Sequence, residues 1–139
     1  MIGEWIKWEP IKGLAKQYHL EEVTSNINGF KIKLSDAKND SSRLIITFND
    51  SVWAYRNVEE GFRLVMMDDL FAKYGTNFYT EWTLFEVNDS DYLKWLAMQS
   101  HNMSYSYQLR HFCIIAMDDI LEIASNYEPE IKICNKGSE

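Results

Sequence analysis

The chain reads as a single α+β domain, with a mainly antiparallel sheet of about six strands and three or four helices packed on it. Three observations predict this. Residues 107–117 (YQLRHFCIIAM) form a dense apolar run of β-formers, and residues 28–48 carry a hairpin dipeptide followed by clean two-residue alternation. Several stretches in between instead carry apolar residues at helical spacing. The length of 139 residues suits one core, assigned here to residues 1–135, with 136–139 as a frayed tail.

In chain order, Glu9-Pro10 is a good helix opening, and Ile11, Leu14, Ala15 and Tyr18 fall at i, i+3, i+4 and i+7. A first helix is expected there, with Trp5, Ile6 and Trp8 against its face. Residues 21–26 are compatible with a strand. Asn28-Gly29 signals a hairpin turn, and Phe30, Ile32 and Leu34 then alternate with Lys31, Lys33 and Ser35. After a polar loop over 36–42, Leu44, Ile46 and Phe48 define the next strand. Asn49-Asp50 turns the chain, and residues 52–57 are expected to return as the antiparallel partner in a meander.

Over 58–74, Phe62, Val65, Met66 and Leu70 approximate a helical stripe, with Gly75 as a stop; Gly61 and Asp68-Asp69 leave two shorter pieces as the alternative. Residues 79–87 read as a strand. Asn88-Asp89-Ser90 breaks it and caps a helix carrying Tyr92, Leu93, Trp95, Leu96 and Met98. Residues 107–117 are then the centre of the sheet, with a buried helix as the competing reading. Asp118 or Asp119 is suited to cap a short helix with Glu122 at the capping-box position and Ile120, Ile123 and Ala124 as its stripe. Pro129 ends it, and residues 130–133 (EIKI) add an edge strand.

Composition narrows function mainly by exclusion. The net charge is −7, from 21 acidic and 14 basic residues, which disfavours nucleic acid and anionic membranes and suits a basic protein partner. Five Trp, eight Tyr and seven Phe predict a ring-rich core with some rings left for a partner. Residues 1–8 carry Glu4 and Lys7 and do not resemble a signal segment, and no apolar run reaches membrane length, so the chain reads as cytoplasmic. Cys113 and Cys134 have no CxxC context and read as reduced thiols, Cys113 buried and inert.

No glycine-rich phosphate loop or GxSxG elbow is present, and His19, His101 and His111 lack metal-ligand spacing. No cofactor, metal or catalytic residue is assigned. His111 lies on the apolar side of the central run and reads as a core histidine satisfied by a hydrogen bond; a general base would need a partner that sequence cannot show. Adjacent acids such as Glu59-Glu60 and Asp68-Asp69 point different ways and read as caps and solvated surface rather than a carboxylate dyad. Arg56, three residues before Glu59, either anchors that acidic loop or meets a partner. Arg56, Glu59, Glu60, Asp68 and Asp69 form the candidate partner-binding patch.

The pattern Ala54-Tyr55-Arg56, Glu59-Glu60-Gly61, Tyr92-Leu93-Lys94-Trp95 and His111-Phe112, followed by Asp118, Glu122, Ser125 and Pro129-Glu130-Ile131, resembles a family of small uncharacterised Gram-positive bacterial proteins. Proteins of that kind resemble immunity proteins that neutralise polymorphic toxins. The resemblance spans roughly residues 5–133 and implies a non-enzymatic binding protein, with no active site to carry over. The expected function is therefore capture of a basic, toxin-like protein. The alternatives are a small-molecule site or cryptic enzyme with an aromatic pocket near His111, and a homodimer that pairs its exposed rings.

Overall fold

The computed structural model describes residues 3–139. Among these the chain runs through β1 (Glu4–Lys7), β2 (Tyr18–Asn26), β3 (Gly29–Asp36), β4 (Asn39–Phe48), β5 (Val52–Glu59), α1 (Leu64–Tyr74), β6 (Leu84–Asn88), α2 (Asp91–Gln99), β7 (Arg110–Ile115), β8 (Asp119–Ser125) and β9 (Glu130–Asn135). Short 3-10 segments occupy Glu60–Phe62 and Met103–Tyr107. The strands form two antiparallel sheets, ordered β1-β6-β7-β8-β5 and β2-β3-β4-β9.

The expected fold of about six strands in one sheet with three or four helices is thus corrected. The described residues form nine strands in two sheets, with two α-helices. Three stretches account for the difference. Residues 9–17 hold no helix: Gly13 sits at φ +89°, Tyr18 opens β2, and the Tyr18 hydroxyl accepts the Ala15 N–H at 2.8 Å. Leu14 and Ala15 still pack on the core, so the apolar spacing was satisfied by an irregular crossing between sheets.

Residues 119–125 are β8 rather than a helix, and the Asp118-Asp119 pair belongs to the tight connection from β7, where the Ala116 N–H donates to the Asp119 carbonyl at 2.9 Å. Ile120, Leu121, Glu122, Ile123 and Ala124 are all buried. A strand covered on both faces loses its alternation, and its apolar residues then match a helical stripe by coincidence. Finally, β5 does not pair with β4. Its partner is β8 in the other sheet, while β4 takes β9. The Ser51 and Ser125 hydroxyls, 2.9 Å apart, tie down the crossing.

The architecture has three layers. Phe30, Ile32, Leu34, Leu44, Ile46 and Phe48 of one sheet meet Leu84, Phe112, Ile114, Leu121 and Ile123 of the other in a sandwich core. The opposite face of the five-stranded sheet, with Phe85, Val87, Cys113, Ile115 and Ile120, packs on Met66, Met67 and Leu70 of α1. Full burial of each such side chain contributes roughly 1.5–3 kcal/mol. As the run 107–117 suggests, β7 is the middle strand: Phe112 and Ile114 point into the sandwich, Cys113 and Ile115 toward α1. The helix expected over 58–74 is present only from Leu64, since β5 runs on to Glu59 and a 3-10 turn follows, and the helix behind Ser90 is present with Ser90 as its cap.

Candidate functional site

Register builds the site. On the helix-facing side of the five-stranded sheet, Arg56 of β5 lies opposite Glu122 of β8, which lies opposite Cys113 of β7. His111 is two residues before Cys113 and so falls on the same face, diagonal to Glu122. The Glu122 side chain is 1% exposed. Its Oε2 accepts from Arg56 Nε at 2.6 Å and from Arg63 Nη1, and its Oε1 is 3.0 Å from His111 Nε2. Arg63 comes from the turn that leads into α1, and its Nη2 also reaches Met66 Sδ at 2.9 Å.

The network continues to α2. His111 Nδ1 is 2.7 Å from Ser90 Oγ, and that oxygen accepts the Leu93 N–H at 3.1 Å as the helix cap. An ionised glutamate can only accept, so His111 Nε2 carries a proton toward Glu122. Trp5 and Tyr92 stand edge-on to the imidazole at 6.5 and 5.4 Å between centroids. The Arg56 guanidinium lies 4.3 Å above the Tyr92 ring.

Electrostatics follow from the donors. Burial by itself pushes the Glu122 carboxyl up, but the hydrogen bonds from His111 and Arg56 and the electrostatic pull of the groups around it, Arg63 included, outweigh it and hold the group well below the usual carboxylate range. Burial pulls Arg56 down, and the bond to Glu122 more than compensates. The Cys113 thiol is pushed well up by burial, so it is a poor nucleophile. Ser90, His111 and Glu122 have the connectivity of an acyl-transfer relay. Ser90 Oγ, however, is buried and engaged as a cap, and two guanidiniums on Glu122 oppose the positive charge a working base must acquire.

Two cavities flank Arg56. The smaller, roughly 330 Å³, is lined by Arg56, Arg63, Asp69, Ser90, His111 and Glu122, among others. The larger is an open cleft of roughly 890 Å³ along β5, between the β2–β3 turn and α2. Trp53, Tyr55 and Trp95 line it and are 54%, 46% and 51% exposed. Phe30 packs on Tyr55 at 4.7 Å and Tyr107 on Trp53 at 4.4 Å, so two of these rings are held in place rather than loose.

The residues singled out from sequence are distributed as follows. Arg56 is central to both cavities, and the carboxylate it binds is the distant Glu122, not the neighbouring Glu59. Glu59 turns back to accept the Gly61 N–H at 3.0 Å. Asp69 reaches the smaller cavity, Asp68 is exposed on α1, and Glu60 lines a separate cavity with Met67 and Ile115. His111 is the hydrogen-bonded core histidine that its position suggested. Glu122 as network hub, Arg63, Trp53 and Trp95 were missed. The signal for Glu122 was present: a charge inside the run ILEIA requires a partner if that run is buried.

No family model, curated protein or solved structure matches this chain. Among the described residues, no three His, Cys, Asp or Glu side chains converge as metal ligands, and no helix is long and apolar enough to cross a membrane.

Proposed function

We propose that this chain is a non-catalytic protein-binding domain that receives its partner in the aromatic cleft along β5. The observation that carries this reading is the convergence of Trp53, Tyr55 and Trp95, each about half exposed, on one cleft that Arg56 also lines. Tryptophan, tyrosine and arginine are the residues that most often dominate binding energy, and the two rings cover large areas at little cost in side-chain entropy. The arginine-saturated glutamate supports a positioning role for Ser90 and His111 over a catalytic one. The net charge of −7 favours encounter with a cationic partner, the form an immunity-like role would take.

The test uses a random-peptide display library panned on the intact protein, with a Trp53→Ala/Trp95→Ala double variant as comparison. Enriched peptides should bind the wild type and lose about a hundredfold or more on the variant. Equal binding to both, with the variant folded by circular dichroism, would remove the cleft as the binding surface. A second reading, a small-molecule site, is supported by the cavity beside His111. Fragments that raise the thermal midpoint of wild type but not of His111→Phe would favour it.

A further inference from the structure

We propose that the cleft takes its partner as an added β-strand on the free edge of β5: an extended segment of apolar β-formers with one carboxylate side chain set against Arg56. This rests on the binding reading above and goes further, naming the geometry and chemistry of the occupant.

β5 is an end strand of its sheet, paired with β8 alone among the described residues. Residues 52–56 are consecutive, and all of them line the cleft. Residues 54–56 pair regularly with β8, and side chains of a regular strand alternate between faces, so these successive residues share one cleft only if it runs along the edge and reaches both faces. Tyr55, opposite Ile123, belongs to the sandwich side, and Arg56, opposite Glu122, to the helix side; both reach it. The main-chain N–H and C=O groups pointing away from β8 are therefore presented to whatever fills the cleft.

The cleft has a wall on either side of β5. Ile27 and Phe30 at the β2–β3 turn stand on one side, Tyr92 and Trp95 of α2 on the other. After an irregularity between Val52 and Ala54, residues 54–59 pair with β8 without interruption, a regular template for a second neighbour. Charge selects the side chains. Arg56 and Arg63 share one carboxylate, Glu122, on the smaller cavity, which Asp69 and Asp91 also line, and Arg56 alone of the two arginines also lines the cleft along β5. Arg56 is held in place by Glu122 and Tyr92 and is still 42% exposed, so it can accept a second carboxylate. Asp50 lines the opposite end and repels an acid there, which gives the segment a direction.

Peptides enriched in the library panning supply the probes. Their sequences should share an extended apolar pattern with one Asp or Glu. Replacing that acid by its amide should weaken binding about tenfold or more, an effect read without altering the protein, and Arg56→Gln should remove the difference. N-methylation of alternate peptide amides should abolish binding in one register and spare it in the other, because only one edge of an added strand is bonded. Hydrogen exchange at β5 amides should slow on binding. Peptides that require Trp53 and Trp95 but tolerate N-methylation in both registers overturn the added strand and leave the cleft reading intact. Peptides indifferent to Trp53 and Trp95 overturn both. No enriched peptide, or a dimer in light scattering that buries β5 against a second copy, also overturns the proposal.

Discussion

Arg56 and Glu122 stand directly opposite one another on β5 and β8, and Arg56 Nε donates to Glu122 Oε2 at 2.6 Å. The two residues are 66 positions apart in sequence, and their pairing joins an edge strand to the buried centre of the sheet. Arg63 and His111 complete the set of donors on the same carboxylate. Removing the carboxylate charge leaves two guanidiniums without their counterion. Glu122→Gln is therefore expected to lose roughly 3 kcal/mol of unfolding free energy, measured by urea denaturation at neutral pH. A loss within experimental error would show that solvent replaces the carboxylate at little cost.

The same carboxylate makes stability depend on acid. Its pKa in the folded chain lies below the ordinary value near 4.5, so between those values the unfolded state binds more protons than the folded one. The contribution is fully present above the unfolded pKa and is lost as pH falls toward the folded one. Wild type should therefore lose stability below about pH 4.5 more steeply than Glu122→Gln, in unfolding free energies measured across that range. Parallel slopes would contradict the assignment.

Ser90 has two duties, capping α2 through the Leu93 N–H and bonding His111. Ser90→Ala should cost about 1–2 kcal/mol and speed hydrogen exchange in the first turn of α2. Ser90→Thr keeps the hydroxyl and should recover most of the loss. If alanine and threonine behave alike, the hydroxyl is not what holds the helix to the sheet.

Gly29 forms one lip of the cleft at φ +116°, and a Cβ there would collide with the Asn49 carbonyl oxygen. Gly29→Ala should destabilise by at least about 2 kcal/mol, because positive φ and backbone contact act together. The thermal midpoint is the measurement, and an unchanged midpoint would mean the turn can shift.

Trp53→Ala and Trp95→Ala remove rings about half exposed, so each should change stability by no more than about 1 kcal/mol. Thermal melts of the single variants check this, and they separate loss of binding from loss of fold.

Much of the fold was legible in the residues. The alternation of Phe30, Ile32 and Leu34, the turn at Asn28-Gly29, and the helix behind Ser90 each carry a local physical cause, and all are present. The candidate site was legible only in parts. Arg56 and His111 stood out as isolated polar groups, but the acids beside Arg56 suggested a surface patch. In the structure Asp69 and Glu60 open onto different cavities. Glu122 was read as a cap because Ile120, Ile123 and Ala124 fit a helix as well as a strand buried on both faces.

By itself the sequence determined the properties set within a few residues: which stretches bury, where turns and caps fall, and that residues 107–117 hold the central strand. Tertiary structure alone decided which strands share a sheet. β5 crosses to β8 while β9 takes its place beside β4, and that choice brings Arg56, with Arg63 just beyond β5, onto the carboxylate of Glu122. The reason is range. Turn and capping preferences act between neighbours in the chain, whereas a buried carboxylate finds its counterions only after distant strands have come into register.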